Sequence, residues 1–356
     1  MTNNKKILIT GGAGFIGSAL IRYLIKETNY SILNFDALKY SGNLQSLNLI
    51  EDSERYKFLH GDICDSILLK KVFNDFCPDG VINLAAESHV DRSIDDAAPF
   101  IQTNIVGTYS LLNASMDYWK NLNENLKESF RFLHVSTDEV YGDINSQEPP
   151  CDESKSYEPS SPYSASKASS DHLIKSWFRT FQFPAIVTNC SNNYGPFHFP
   201  EKFIPHIILS SLNGKKIPIY GDGQQIRDWI FVEDHVRGLL MAFEQGSLGE
   251  TYNIGASNEI RNIEIATMVC KLLDELVLRK PGKISTFNDL ITFVDDRPGH
   301  DKRYAINSSK IQNQLGWYPK ESFESGLRKT VQWYLDNEEW WKPILETNYS
   351  LERLGK

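Results

Sequence analysis

Two short stretches of this sequence carry side chains suited to moving protons. In Ser161-Pro162-Tyr163-Ser164-Ala165-Ser166-Lys167 a phenol and an ammonium stand four residues apart, so on a helix they share one face. A phenol is a weak base near neutrality, with a reference pKa of about 10, but nearby positive charge stabilises the phenolate. Tyr163 could then take a proton from a hydroxyl as hydride leaves the carbon that bears it. In Val135-Ser136-Thr137-Asp138-Glu139-Val140-Tyr141-Gly142 two carboxyls are adjacent. At the end of a buried strand such a pair is costly unless it meets solvent or does chemistry. Held at different pKa values, one carboxyl can give a proton while the other takes one.

Departing hydride needs an acceptor, and the N-terminal segment supplies a place for one. Ile7-Leu8-Ile9 reads as a strand running into Thr10-Gly11-Gly12-Ala13-Gly14-Phe15-Ile16-Gly17 and then an amphipathic helix. Glycines 11, 14 and 17 allow a tight turn, close approach of backbone to a pyrophosphate and close helix-to-strand packing. The helix N-terminus behind them offers free N–H groups to phosphate. Asp36 ends the next strand, where a carboxylate accepts from a ribose diol and repels a 2′-phosphate, which favours NAD over NADP. Lys39 lies close enough to soften that preference, although an exposed loop lysine is the plainer reading. His60-Gly61-Asp62-Ile63 follows the third strand and suits an adenine edge. Asn83-Leu84-Ala85-Ala86-Glu87-Ser88 follows the fourth, where small residues let backbone approach the cofactor.

The elements that must position these groups alternate short β-rich runs with longer helical ones, the mark of a parallel sheet covered by helices. Strands are expected near 6–10, 31–36, 56–60, 80–84, 130–136 and 184–189, with helices at 14–26, 67–76, 99–119 and 163–181. The rhythm changes after Cys190: turn-rich stretches separate isolated helices at 233–245 and 262–278. The predicted fold is α/β, a Rossmann-type doubly wound parallel sheet (residues 1–190) with a smaller α/β C-terminal substrate-binding domain (191–356). Some segments of the second part are expected to return to the sheet. The polar stretch 121–129 reads as a surface excursion.

Composition excludes several classes. With 37 Lys and Arg against 46 Asp and Glu the net charge is −9, which argues against nucleic acid or an anionic membrane as partner. The five cysteines are scattered with no C-x-x-C pair, so they read as thiols of a reducing compartment. No apolar run nears the roughly eighteen residues a membrane helix needs, and the N-terminal run is too short for a signal peptide. The expectation is a cytoplasmic enzyme.

The glycine turn followed by Tyr163 and Lys167 resembles the extended branch of the short-chain dehydrogenase/reductase superfamily. The Asp138-Glu139 segment narrows the resemblance. Together with Ala86-Glu87-Ser88-His89-Val90-Asp91-Arg92-Ser93, Asn192-Asn193-Tyr194-Gly195-Pro196, Phe199-Pro200-Glu201-Lys202, Gln225-Ile226-Arg227-Asp228-Trp229 and Arg297-Pro298-Gly299-His300-Asp301, it closely resembles the dTDP-glucose 4,6-dehydratases over about residues 5–335. One departure is Ala37-Leu38-Lys39, where that family carries Lys-Leu-Thr; it touches only the ribose contacts.

The resemblance implies a hydro-lyase that oxidises dTDP-glucose at C4 with NAD, eliminates water across C5–C6 and returns the hydride to C6. Tyr163, helped by Lys167 and Thr137, would deprotonate the C4 hydroxyl. Glu139 would remove the C5 proton, and protonated Asp138 would serve the leaving C6 hydroxyl. How these two pKa values are held apart is not readable; burial of Asp138 is the expectation. NAD contacts are implied for Gly11, Gly14, Phe15, Ile16, Gly17, Asp36 and Lys39. Further along they are implied for Asp62, Ile63, Leu84, Ala85, Ala86, Ser88, Thr103, Ser136 and Asn193, besides Tyr163 and Lys167. Substrate contacts are implied for Ser88, Thr137, Asn192, Lys202, Phe203 and Pro218, then Tyr220, Arg227, Asn262, Arg297 and His300. Lys202, Arg227 and Arg297 are the cations for the diphosphate, arginine being suited to phosphate oxygens. No metal is assigned, because neither His89 nor His300 has a partner at metal-ligand spacing. Trp333, Trp340 and Trp341 are read as packing a C-terminal helix. A homodimer through the helices at 99–119 and 163–181 is expected. The alternatives are a UDP-glucose 4,6-dehydratase, a nucleotide-sugar 4-epimerase or decarboxylase with no need of the carboxyl pair, and, least favoured, a non-catalytic NAD-binding scaffold.

Overall fold

In a computed structural model of the chain, which describes residues 4–347 together with Tyr349 and Leu351, the apolar runs of the first half become strands β1 (Lys6–Thr10), β2 (Ser31–Asp36), β3 (Tyr56–His60), β4 (Gly80–Asn83), β5 (Arg131–Thr137) and β6 (Ala185–Cys190). Ile7, Leu8, Ile9, Val81, Ile82, Phe132 and Leu133 lose all contact with solvent, as expected of parallel strands covered on both faces. The later strands are short: β7 (Asn192–Tyr194), β8 (Ile217–Tyr220), β9 (Ile226–Phe231), β10 (Thr251–Ile254), β11 (Glu259–Arg261) and β12 (Ile291–Val294). The main sheet has seven parallel strands in the order β10-β6-β5-β4-β1-β2-β3. The chain thus winds outward from β1 in one direction and, from β4, in the other. That reversal opens a crevice beyond the C-terminal ends of β1 and β4, where such sheets place ligands.

Helices cover both faces. Phe15–Glu27 follows the glycine turn, and Pro162–Phe181 starts on a capping box between Ser161 and Ser164 with Pro162 in its first turn, a strong local start signal. The helix expected at 99–119 is not continuous. It begins as Ala98–Phe100, widens to π-helical turns over Ile101–Gly107 and resumes as Thr108–Lys120. Tertiary contacts account for the wide turn. Asn104 is bound on both sides, its Nδ2 donating to the Glu87 carbonyl (3.0 Å) and Ser166 Oγ (2.8 Å) while its Oδ1 accepts from Glu87 N (2.9 Å). A Cβ at Gly107 would lie 2.7 Å from Ile63. Widened turns of this kind recur at functional sites, and this one carries Thr103 to the wall of the crevice. The excursion at 121–129 holds a one-and-a-half-turn helix, Glu124–Ser129, with no buried residue.

The smaller lobe has its own core, in which Ile204, Ile207, Ile208, Trp229, Val269, Leu273, Phe323, Leu327, Trp340 and Trp341 pack together. Trp340 and Trp341 lie on the helix Glu338–Thr347 and are buried in that core. The antiparallel pair β9/β11, the parallel pair β7/β9 and the parallel pair β8/β12 frame it. β10 does not belong to this lobe; it pairs with β6 and extends the main sheet. No helix among the described residues is long and apolar enough to cross a membrane.

Candidate active site

One cavity of about 490 Å³ fills the crevice between sheet and smaller lobe, a size typical of small-molecule sites. Its glycine end is built for close approach. Gly11 has φ +72°, and a Cβ there would sit 2.6 Å from the Leu84 carbonyl carbon and Ala85 N; at Gly17 a Cβ would meet the Gly11 oxygen at 2.2 Å. Gly14 caps the following helix without any side-chain hydrogen bond, so its first N–H groups face the cavity ready for an anion. These features fit a dinucleotide pyrophosphate. Asp36 Oδ2 accepts from Ala13 N (2.9 Å) and Oδ1 from Leu38 N (2.8 Å), and each oxygen keeps a lone pair for a ribose hydroxyl. Burial raises its pKa against the pull of those two N–H groups. Lys39 is committed elsewhere: Nζ donates to Thr103 Oγ1 (2.7 Å) and lies 3.6 Å from Asp62 and 3.5 Å from Glu87. It is the exposed loop lysine of the plainer reading, with a side chain 42% accessible, but these partners already engage its charge.

β5 delivers the carboxyl pair. Thr137 caps the short turn Asp138–Tyr141, and both carboxyls line the cavity. Their surroundings differ in a way the sequence does not reveal. Asp138 is buried, and burial, then the charges of Glu139 and Asp228, push its carboxyl well above the usual range. Glu139 is also raised by burial, but Arg297, Arg227 and Lys202 pull it back. Anions thus weigh most on Asp138 and cations on Glu139, although Arg227 also reaches the first and Asp301 the second; that asymmetry is what an acid–base pair requires.

Tyr163 and Lys167 share the cavity-facing side of the helix Pro162–Phe181, and Thr137 bonds the phenol oxygen. The expected lowering of the phenol pKa is not a property of the protein alone. Burial and the Glu139 charge push Tyr163 well above 10, and the Lys167 ammonium donates to the Val135 carbonyl (2.8 Å) rather than to the phenol.

The smaller lobe and the loops facing it bring up the cations. Arg227 donates to the Ile226 and Asp301 carbonyls (both 2.8 Å), its guanidinium 4.3 Å from the Tyr304 ring centre. Arg297 pairs with Asp91 at 2.7 Å, and Tyr220 donates to the other Asp91 oxygen at 2.8 Å. Lys202 donates to the Ser88 carbonyl (3.0 Å) and lies 3.8 Å from Glu201. His300 contacts Asp296 at 2.6 Å, and burial lowers its pKa to about 4. Asn193 is fixed between the Ser191 carbonyl (3.0 Å) and His235 (2.9 Å).

Every candidate residue named from the sequence lines this cavity: the glycines with Phe15 and Ile16, Asp36, Lys39, Asp62, Ile63, Leu84 to Ala86, Ser88, Thr103, Ser136 to Glu139, Tyr163, Lys167, Asn192, Asn193, Lys202, Phe203, Pro218, Tyr220, Arg227, Asn262, Arg297 and His300. Sequence reasoning missed His89, Asp91, Glu201 and Tyr304, which line it as well. Three of them sit inside motifs already singled out, but acidic residues in a pocket reserved for an anion gave no reason to select them. Among the described residues no group of three or more His, Cys, Asp or Glu side chains is disposed to hold a metal.

The sequence model of the family described as GDP-mannose 4,6 dehydratase matches residues 8–330. The chain is similar to the dTDP-glucose 4,6-dehydratase of Neisseria meningitidis serogroup B, with 58% identity over 351 residues, 99% of each chain. Among solved structures it resembles the dTDP-glucose 4,6-dehydratase of Bacillus anthracis in complex with NAD (TM-score 0.84, 43% identity, 96% of this chain and 99% of that one). It also resembles that of Streptomyces venezuelae with NAD and TYD bound (TM-score 0.85, 40% identity, 95% and 99%).

Proposed function

We infer the reaction from the premise that this chain belongs to the GDP-mannose 4,6 dehydratase family, within which dTDP-glucose 4,6-dehydratases align with it from end to end. The chain is a dTDP-glucose 4,6-dehydratase and its cofactor is NAD. It converts dTDP-glucose to dTDP-4-keto-6-deoxyglucose and water. The observation that carries this reading beyond the comparisons is the unlike setting of Asp138 and Glu139 beside Tyr163. A 4-epimerase breaks no C6–O bond and has no use for such a pair.

We assign the roles as follows. When bound, NAD would supply the acceptor for the C4 hydride and its donor for C6. Tyr163 removes the C4 hydroxyl proton, with Thr137 bonded to its oxygen. The resulting C4 ketone acidifies the C5 proton, which Glu139 removes; Asp138, kept neutral by burial and neighbouring anions, protonates the departing C6 hydroxyl. Arg227, Arg297 and Lys202 receive the diphosphate, and their charge also opposes the rise that burial imposes on the Glu139 pKa. Gly11, Gly14, Gly17 and Asp36 on the sheet lobe would hold NAD. The sugar nucleotide lies along Asn192, Phe203, Pro218, Tyr220, Asn262 and His300 on the smaller one, so residues 1–190 serve the cofactor and 191–356 the substrate. Residues 1–3, 348, 350 and 352–356 of that division lie outside the described structure.

The same reading makes the protein a homodimer. Exposed Ile101, Val106, Tyr109 and Phe181 leave an apolar face on the helices at 98–120 and 162–181, suited to a second copy. It also places the enzyme in the cytoplasm, with which its five free thiols agree.

Incubation of purified protein with dTDP-glucose and, separately, UDP-glucose, without added NAD, tests the reading. A 4-keto sugar chromophore with dTDP-glucose is the expected result. Its absence from protein that carries NAD overturns the assignment, and equal rates with both substrates overturn the thymidine preference.

A further inference from the structure

The stripe that holds Tyr163 and Lys167 continues one turn further, to Asp171. Residues 163, 167 and 171 are spaced i, i+4, i+8 and lie on one helix face. Asp171 has no solvent exposure, and a buried carboxylate is costly without a compensating charge. Its Oδ2 accepts from Ser136 Oγ at 2.8 Å, while Oδ1, which makes no full hydrogen bond, lies 3.4 Å from His134 Nε2. The same His134 nitrogen is 3.5 Å from Lys167 Nζ.

A chain of contacts beneath the cavity decides the state of that imidazole. Thr10 Oγ1, on the strand that leads into the glycine turn, donates to Asn83 Oδ1 at 2.6 Å. The Asn83 amide must therefore donate through Nδ2, which meets His134 Nδ1 at 3.0 Å. Nδ1 is thus the acceptor and the ring proton resides on Nε2, 3.4 Å from Asp171 Oδ1. Burial and the Lys167 charge hold His134 far below its usual pKa, so it stays neutral. A neutral N–H cannot accept from Lys167, so His134 stands between the ammonium (3.5 Å) and the Asp171 carboxylate (3.4 Å) without itself supplying a countercharge.

We propose that Asp171, oriented by His134 and Ser136, is the buried counter-ion that keeps Lys167 protonated, and that it acts through Lys167 as a positioning residue for the Tyr163 phenolate. The other groups around it fit this arrangement. From its own helix Lys175 also faces Asp171; from the segment after β5, Tyr157 and Tyr141 lie near. Cys190 of β6 faces Lys167, and Asp138 and Glu139 face Tyr163. Burial lowers the Lys167 pKa and Asp171 is first among the groups that restore it. Asp171 itself is raised by burial to about 6, and Lys167 and Ser136 hold it there.

The inference rests on the Tyr163–Lys167 role given above, and the test separates the two. The pH profile of kcat/KM for dTDP-glucose is measured with NAD-loaded wild type and Asp171→Asn. Without Asp171 the lysine gives up its proton more readily, so the alkaline limb, where the ammonium is lost, moves to lower pH by about one unit or more. An alkaline limb that coincides with wild type, or moves to higher pH, overturns the inference, even if the rate falls at every pH as it would from a purely structural defect. Should Asp171→Asn fail to fold, Ser136→Ala removes one hydrogen bond from the same carboxylate and shifts the limb in the same direction; an unmoved limb there is equally fatal. Wild type inactive on dTDP-glucose overturns the proposed function and this inference together. Wild-type turnover with unmoved variant limbs overturns the inference alone.

Discussion

Replacing Glu139 by glutamine removes one charge at nearly constant shape, and the structure says which steps must feel it. Glu139 stands among Arg297, Arg227 and Lys202 and adds to the forces that hold the Tyr163 phenol neutral. Without its charge Tyr163 ionises more easily, so oxidation at C4 should proceed at least as fast as in wild type. Abstraction of the C5 proton loses its base, and positioned bases contribute about 10²- to 10⁴-fold, or roughly 3–5 kcal/mol of barrier. The variant should therefore oxidise bound substrate and stop. In a single turnover with enzyme in excess, the absorbance of reduced nicotinamide should rise and persist, while quenched samples contain little 6-deoxy product. Dehydration at the wild-type rate would refute the assignment of the base. Absence of the absorbance rise would refute the claim that the carboxyl pair acts only after oxidation.

The same site is predicted to cost stability. Asp138 has a folded pKa well above 3.8, so any stability it contributes is present below the unfolded value and is lost as pH rises through the folded one. Asp138→Asn should accordingly melt higher than wild type at pH 8, with the gap closing toward pH 4, as calorimetry of both proteins would show. Gly17→Ala forces a Cβ to 2.2 Å from the Gly11 oxygen, and the variant should purify without NAD, read from its absorbance spectrum. Ile101→Glu places a charge on the exposed apolar helix face and should sediment as a monomer where wild type sediments as a dimer.

Much of this architecture is legible in the sequence because buried parallel strands are written as uninterrupted apolar runs. β1, β2 and β3 fall where Ile7 to Ile9, Ile32 to Phe35 and Phe58 to Leu59 suggest. Several of the candidate residues, among them Asp36, Thr137 and Tyr163, are legible for a different reason: they sit at the C-terminal end of a strand or in the first turn of a helix, where the topology gathers ligand-facing groups. What escapes is tertiary. The wide turn at 101–107 depends on Asn104 meeting Glu87 and Ser166 and on Gly107 meeting Ile63, contacts that no periodicity announces. The separation of Asp138 from Glu139 depends on Asp228, Arg227, Arg297 and Lys202, which arrive from segments 60 or more residues away. His134 and Asp171 look like ordinary interior positions of a strand and a helix until the two elements are laid side by side.

The central claim is that one active site removes hydrogen from C4 and restores that same hydrogen at C6 after water has left. dTDP-glucose carrying deuterium at C4, turned over by the enzyme's own NAD and followed by NMR of the product, tests it most directly. The account predicts deuterium at C6 of the 4-keto-6-deoxy sugar and a solvent-derived hydrogen at C5. Deuterium lost to solvent, or restored to C4 with inverted configuration, would contradict it.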